Sequence, residues 1–306
     1  MSRLKRKYLL VLKALFLVAT PIFFYSCRPH ETQFLVASDL HFDATKEKMA
    51  IFDSVIYDMN RISDQQLPDG SGKTGKPFGV VITGDITDSG KPEQWQQYQE
   101  LFGLNGEQKL KYHVFESIGN HDGNIDGIVR TGIIERNKHR KNLKSVSANG
   151  LHYSWDRNGI HFVMLGSYPG NVLDSTCGWC HYFKESFRDP QSSLAFLKED
   201  LERNVNKNIQ PVILFFHYGY DDFGNLWWTP AEQDAFYNVI KDYNIAAIFH
   251  GHDHATDNYR WRGINVWSSG SPQRGQKTGN YLIVKVVNGV VSVFDRSKGQ
   301  TSSIIK

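Results

Sequence analysis

Cysteine is nearly absent: 306 residues hold only three. No disulfide framework can stand in for a hydrophobic core, and none is needed, because 40% of the chain is apolar and 13% aromatic. Proline is sparse at 10 residues, and no fixed period recurs, which excludes collagenous and repeat architectures. Outside the first 26 residues the chain also lacks an excess of positive charge. The net charge is +3, but Arg3, Lys5, Arg6, Lys7 and Lys13 stand in residues 1–26 without a single acid, so the remainder carries −2. Such a body has no broad positive field for a phosphate backbone, and nucleic acid is not an expected partner.

Arg3 to Lys7 precede an apolar run from Tyr8 to Tyr25, broken once by Lys13 and followed by Ser26-Cys27. That order is the order of an export signal. Ser26-Cys27 resembles the cleavage site of a bacterial lipoprotein, which would make Cys27 the lipidated first residue of the mature chain. Phe24 and Tyr25 depart from that pattern, and an uncleaved anchor is the alternative, since the run is near the roughly 18 residues needed to span a bilayer. Residues 1–27 therefore read as signal peptide or anchor and 28–306 as a single domain, held at a membrane outside the cytoplasm, periplasmic or at the cell surface. In an oxidising compartment Cys177 and Cys180 form a local staple more readily than a redox pair, because they follow a loop-like stretch instead of a buried strand.

Five short apolar runs read as buried strands: Gln33–Ser38, Phe78–Thr83, Tyr112–Ile118, Pro211–Phe216 and Ile245–Phe249. Helical segments lie between them at Glu47–Ile62, Glu93–Phe102, Ser192–Val205 and Thr229–Tyr243. Leu151–Trp155 with Ile160–Leu165, and Tyr281–Val287 with Val290–Asp295, read as hairpins joined at Asn-Gly. Strand and helix in alternation, with hairpins interleaved, predict an α/β protein with a mixed sheet or two stacked sheets. Residues 63–77 and 169–190 read as surface excursions.

Each of the five apolar runs ends in polar residues of ligand type: Asp39-Leu40-His41, Gly84-Asp85 with Asp88, Gly119-Asn120-His121-Asp122, His217, and Gly251-His252-Asp253-His254. Open α/β sheets place their sites at the carboxyl ends of strands, so these residues should converge on one rim. Oxygen and imidazole ligands together suit Mn, Fe or Zn, and there are too many for one tetrahedral ion, which implies two metals. Asp39 and His41, one residue apart, would point the same way from an extended strand end. The glycines beside the ligands mark sharp bends or close approaches.

These blocks, in this order, resemble the calcineurin-like metallophosphoesterase superfamily. The resemblance runs from Asp39 to His254 and implies two stacked mixed β-sheets flanked by helices, a four-layer αββα sandwich with a dinuclear metal centre on its rim. By matching positions, Asp39, His41 and His254 would hold one metal and Asn120, His217 and His252 the other, with Asp85 bridging. His121 would assist the leaving group and Asp88 would orient it, Asp122 competing for that role. The implied activity is hydrolysis of phosphate monoesters by metal-activated water, with a phosphodiesterase on small or lipid-derived diesters as the alternative. Ser89, where the family's protein phosphatases carry Arg, argues against a phosphoprotein substrate, and Asp88 stands where the purple acid phosphatases carry Tyr. A non-catalytic, metal-stabilised binding lipoprotein is the alternative of another class.

Tyr218, Tyr220, Trp227 and Trp228 could stack a substrate group or pack the core. Arg130, Arg136, His139 and Arg140 read as an exposed helix face, with phosphate steering as the alternative. The remaining histidines read as surface or structural, His250 as ending a strand, and Asp43 as a turn or cap residue.

Overall fold

In the first strand the side chains divide by parity. Phe34 and Val36 point to one face, Leu35 and Ala37 to the other, and all four are fully buried. A strand covered on both faces reads as an unbroken apolar run and has to be sandwiched. The structure, a computed structural model, describes residues 31–123, 127–171, 190–220, 227–273, 280–297 and 300–303. The readings of residues 1–27 and of Cys177 and Cys180 lie outside them.

One sheet is built from β1 (Glu31–Ala37), β2 (Gly79–Ile82), β3 (His113–Glu116), β11 (Tyr281–Val287), β12 (Val290–Ser297) and β13 (Gln300–Ser303), in the order β13-β12-β11-β1-β2-β3. The other contains β4 (Leu143–Val146), β5 (Tyr153–Arg157), β6 (Ile160–Met164), β7 (Pro211–Phe215), β8 (Asn244–His250), β9 (Asp257–Trp261) and β10 (Ile264–Ser268), in the order β4-β5-β6-β7-β8-β10-β9. Both sheets are mixed: β1, β2 and β3 run parallel, as do β6, β7, β8 and β10, and the other strand pairs are antiparallel.

Phe34, Val36 and Val81 of the first sheet meet Phe162, Ile213, Phe215 and Phe249 of the second in an inter-sheet core. On the outer face of the first sheet, Leu35, Val80 and Ile82 pack with Phe52 and Ile56 of α1 (Lys46–Asn60), Trp95 and Tyr98 of α2 (Pro92–Leu101) and Ile133 of α3 (Ile128–His139). On the outer face of the second, Val212, Leu214 and Ile248 pack with Leu197 and Leu201 of α4 (Ser193–Asn204) and Phe236 of α5 (Pro230–Ile240). The result is the four-layer αββα sandwich.

Both Asn-Gly turns take the mirror-image form that suits the twist of a hairpin: φ is 49° at Asn158 and 79° at Gly159, 51° at Asn288 and 82° at Gly289. Thr229 and Glu232 form a reciprocal capping box at α5, with Pro230 in its first turn. The sequence reading did not mark β4, β13 or the β9–β10 hairpin, which turns at Arg262-Gly263 without an Asn-Gly signal. No helix of the described residues is long and apolar enough to cross a membrane.

Candidate metal centre

The five polar blocks follow β1, β2, β3, β7 and β8, and the parallel directions of those strands bring them to one rim. His41 Nε2 lies 3.8 Å from Asp39 Oδ1, 3.7 Å from Asp85 Oδ2 and 3.0 Å from His254 Nε2, while His254 Nε2 lies 3.5 Å from Asp39 Oδ1. On the other side of Asp85, its Oδ2 is 3.3 Å from His217 Nε2, which is 3.2 Å from Asn120 Oδ1. The His252 ring centre stands 5.1 Å from that of His217. Two groups of donors therefore share Asp85, one with Asp39, His41 and His254, the other with His217 and His252.

Each carboxylate has one oxygen anchored and one aimed inward. Asp39 Oδ2 accepts from the His252 amide at 2.9 Å and Asp85 Oδ1 from the His121 amide at 2.8 Å. The inner oxygens, Asp39 Oδ1 and Asp85 Oδ2, are buried without a hydrogen-bond partner. His217 Nδ1 stands 3.0 Å from the Thr83 carbonyl, to which it can only donate, so Nε2 is the atom that faces Asp85 and Asn120 and offers a lone pair there once its proton leaves. Acceptors facing acceptors in a dry site call for a cation, and oxygen with imidazole suits a transition metal.

Protonation shows the same demand. Burial would lower the pKa of His217, but the charge of Asp85 beside it raises it to about 9. Burial would raise Asp85, yet His217 and His41 hold it well below the usual carboxylate range. Burial pushes Asp39 up to about 7, with Asp85 adding and His217 opposing. Burial and the charge of His217 push His252 well below the ordinary imidazole value. Protons thus share the space a metal cation would fill, and metal affinity must rise with pH as they leave.

Asp39, His41, Asp85, His252 and His254 all have left-handed backbones, with φ of 54°, 47°, 50°, 79° and 60°. Residues other than glycine visit this region at a cost and concentrate there at functional sites. The expectation that Asp39 and His41 share a side because the strand end is extended is corrected: β1 stops at Ala37, and both residues turn inward through left-handed φ. Gly119 is required for close approach, since a Cβ there would run into Asp85 and sit 2.8 Å from His217 Nε2.

His121 is half-buried, with its Nδ1 2.7 Å from the backbone carbonyl of Asp88 and its ring centre 4.7 Å from that of His41. The Asp88 carboxylate approaches His41 Nδ1 at 3.9 Å. Asp122 braces the floor. Its carboxylate accepts from the amides of Ile86, Thr87 and Gly119 and from the Thr87 hydroxyl, tying the Asp85 loop to the Asn120 loop.

Two further supports escaped the sequence reading. Tyr259 OH lies 2.9 Å from His250 Nε2 and accepts from the Tyr220 amide at 2.7 Å, linking the loop after His217 to the strand before His252. Ser271 Oγ donates to the Asp39 carbonyl, and Gln273 Nε2 to those of Leu40 and His41. Only the SSGSPQ run, residues 268–273, dense in short polar side chains, hints at this in the sequence.

Tyr218, Tyr220, Trp227 and Trp228 are buried in the core around α5, although Tyr218 and Trp227 also pack against the His252 ring. The exposed-face reading of α3 is corrected, as is phosphate steering. Arg130 is fully buried, and Arg136 and Arg140 hold the buried Glu116 at 2.6 Å each; only His139 is exposed, pairing with Glu135. Asp43 accepts from Thr45 as a turn residue, and His250 ends β8.

An αββα sandwich with two donor groups sharing a carboxylate at its rim defines a class of dinuclear-site proteins. The profile of the calcineurin-like phosphoesterases matches residues 32–256, and the chain belongs to that family. A dimetal phosphatase from Danio rerio is similar in fold, with a TM-score of 0.57 and 11% identity over 90% of this chain and 99% of that one. GAP50, described as the anchor in the inner membrane complex of Plasmodium, has a TM-score of 0.53 and 14% identity over 90% and 89%. Among curated proteins none matches the sequence.

Proposed function

We propose that this protein hydrolyses phosphate monoesters in a dinuclear metal centre, at a membrane outside the cytoplasm. The observation that carries the reading is the pair of buried inner oxygens, Asp39 Oδ1 and Asp85 Oδ2, without partners and among imidazoles. Asp39, His41 and His254 would hold one ion, Asn120, His217 and His252 the other, and Asp85 both. Bound divalent ions would supply Lewis-acid stabilisation of phosphoryl oxygens and a water that ionises near neutral pH.

The protein's own residues do the rest. Backbone amides fix the two carboxylates, and Thr83 fixes the tautomer of His217. His121 donates from Nδ1 to the Asp88 carbonyl, so Nε2 is the atom that gives or takes a proton at the leaving oxygen. Asp88 orients His121 through its main chain, and its carboxylate faces His41. GAP50 shows that the fold also occurs in a protein described as an anchor. A binding module has no use for a half-buried imidazole fixed in one tautomer beside the donor groups, which is why catalysis is the preferred reading.

The test loads the full chain in detergent with Mn²⁺ and compares p-nitrophenyl phosphate with bis-p-nitrophenyl phosphate, His121→Ala serving as control. Faster turnover of the monoester, lost in the variant, is expected. Preference for the diester would replace the phosphatase by a phosphodiesterase, and bound metal without turnover of either ester would contradict the proposal.

A further inference from the structure

We propose that the end of the sandwich opposite the metal centre lies against the membrane, and that what it meets there is a phospholipid surface. The inference rests on the reading of residues 1–27 as an anchor and is independent of the chemistry at the rim.

Tether length carries the argument. Only Arg28, Pro29 and His30 separate Cys27 from Glu31, the first residue of β1. Four steps of extended chain reach at most roughly 14 Å, and the six from Tyr25, if the anchor is uncleaved, roughly 20 Å. The seven residues of β1 run for roughly 23 Å from that end toward Asp39. So short a lead cannot bring the far rim to the bilayer without burying the sandwich. It holds the Glu31 end down and points the metal centre to the aqueous side.

The surface at the held end fits that placement. Asn158 at the β5–β6 turn donates to the Glu31 carbonyl, and Pro211 at the start of β7 borders Gly289 at the β11–β12 turn. Beside these contacts Ile209 is 70% exposed and Val290 63%, large apolar side chains offered to solvent by otherwise polar turns. Exposed cations stand at the same ends of the strands: Lys76 before β2, Lys111 before β3, Arg157 beside the β5–β6 turn and Lys207 before β7. The acids at these ends are Glu31, paired with Lys285, Asp156, paired with Lys144 and His161, Glu107, which accepts from the Leu104 and Asn105 amides, and Asp242 before β8. Apolar side chains set among cations match an acyl–headgroup boundary with anionic lipid. On the phosphoesterase reading, the consequence is a water-soluble ester as substrate, because headgroups of the anchoring leaflet lie a sandwich-length away.

The full chain, reconstituted into phosphatidylethanolamine–phosphatidylglycerol vesicles, would carry p-benzoylphenylalanine at 209, 290 or 257, one position at a time. Asp257 is exposed and pairs with Ser268 at the rim end of β10. After irradiation, phospholipid adducts at 209 and 290 should exceed those at 257 several-fold. Equal adducts, a reversed order, capture of protein in place of lipid, or failure of the chain to float with the vesicles would each overturn the proposal. None of these readouts depends on turnover, so the orientation can fail while the phosphoesterase stands, and the reverse.

Discussion

Two clusters of charge are buried in this protein, and they are resolved in opposite ways. At the end of β3, Glu116 is fully buried between Arg136 and Arg140 of the adjoining helix region. Burial would raise its pKa, but the two guanidiniums hold it below the ordinary value, and Tyr153 OH donates to its carbonyl. At the rim, Asp39 and Asp85 are as deeply buried, and each keeps one oxygen without a hydrogen-bond partner among imidazoles that compete for protons. A buried charge that carries its own counter-ions belongs to the structure, whereas one that lacks them marks where something else must bind.

Neutralising the rim should therefore cost function, and neutralising β3 should cost the fold. Asp85→Asn removes the carboxylate both donor groups share, and turnover should fall by at least about 10³-fold, as when a transition-state contact is lost. Steady-state kinetics with metal analysis checks this. His121→Ala should reduce turnover by about 10²- to 10⁴-fold and leave the bound metal unchanged, since its Nδ1 is taken by the Asp88 carbonyl and both donor groups that share Asp85 are complete without it; equal metal loss in both variants would show that His121 is a ligand.

Glu116→Gln takes the buried counter-charge from Arg136 and Arg140, and the fold should lose about 3–5 kcal/mol, read by denaturant unfolding. Asp39→Asn, at the rim, should disturb the unfolding of metal-free protein far less than Glu116→Gln does, while lowering metal uptake on the His41 and His254 side. The smaller effects lie in the supports. Tyr259→Phe deprives His250 and the Tyr220 amide of their shared hydroxyl, and metal affinity on the His217 side should fall by roughly 10-fold, resolved by titration from an unchanged first site.

A third charged group sharpens the rule through pH. His161 is bonded at 2.7 Å to both Asp156 and Asp200. Burial would lower its pKa, but the two carboxylates outweigh burial and raise it, and His161 in turn holds Asp200 low against burial. The stabilisation is complete below the unfolded histidine value near 6.5 and is lost as pH rises through the raised folded value. On the acid side it is lost as pH falls through the depressed value of Asp200. The melting-temperature gap between native protein and His161→Asn should be widest at mildly acidic pH and narrow toward alkaline pH.

The fold and the donor set were largely legible because both are local in sequence. Apolar runs of the right length gave the strands that carry the site, and each ran directly into its ligand block. What was not legible depends on distant partners. Glu116 inside an apolar strand and the arginines of α3 acquire meaning only when the helix folds back onto β3. Asp122 looks like a rival for Asp88 until the amides of Ile86 and Thr87 are seen to occupy it. The left-handed backbone of five donor residues could not be read from side-chain type, because aspartate and histidine are equally at home in extended strand ends.

The most direct test counts metal. Mn²⁺ bound per chain, measured at saturation by mass spectrometry of the metal and by calorimetric titration, should be two for the native protein and should drop in Asp85→Asn, with Glu116→Gln still binding two wherever it remains folded. A native chain that binds no metal, or an Asp85→Asn variant that binds as many ions with unchanged affinity, would contradict the claim that the unpartnered charge at the rim is a shared two-metal site.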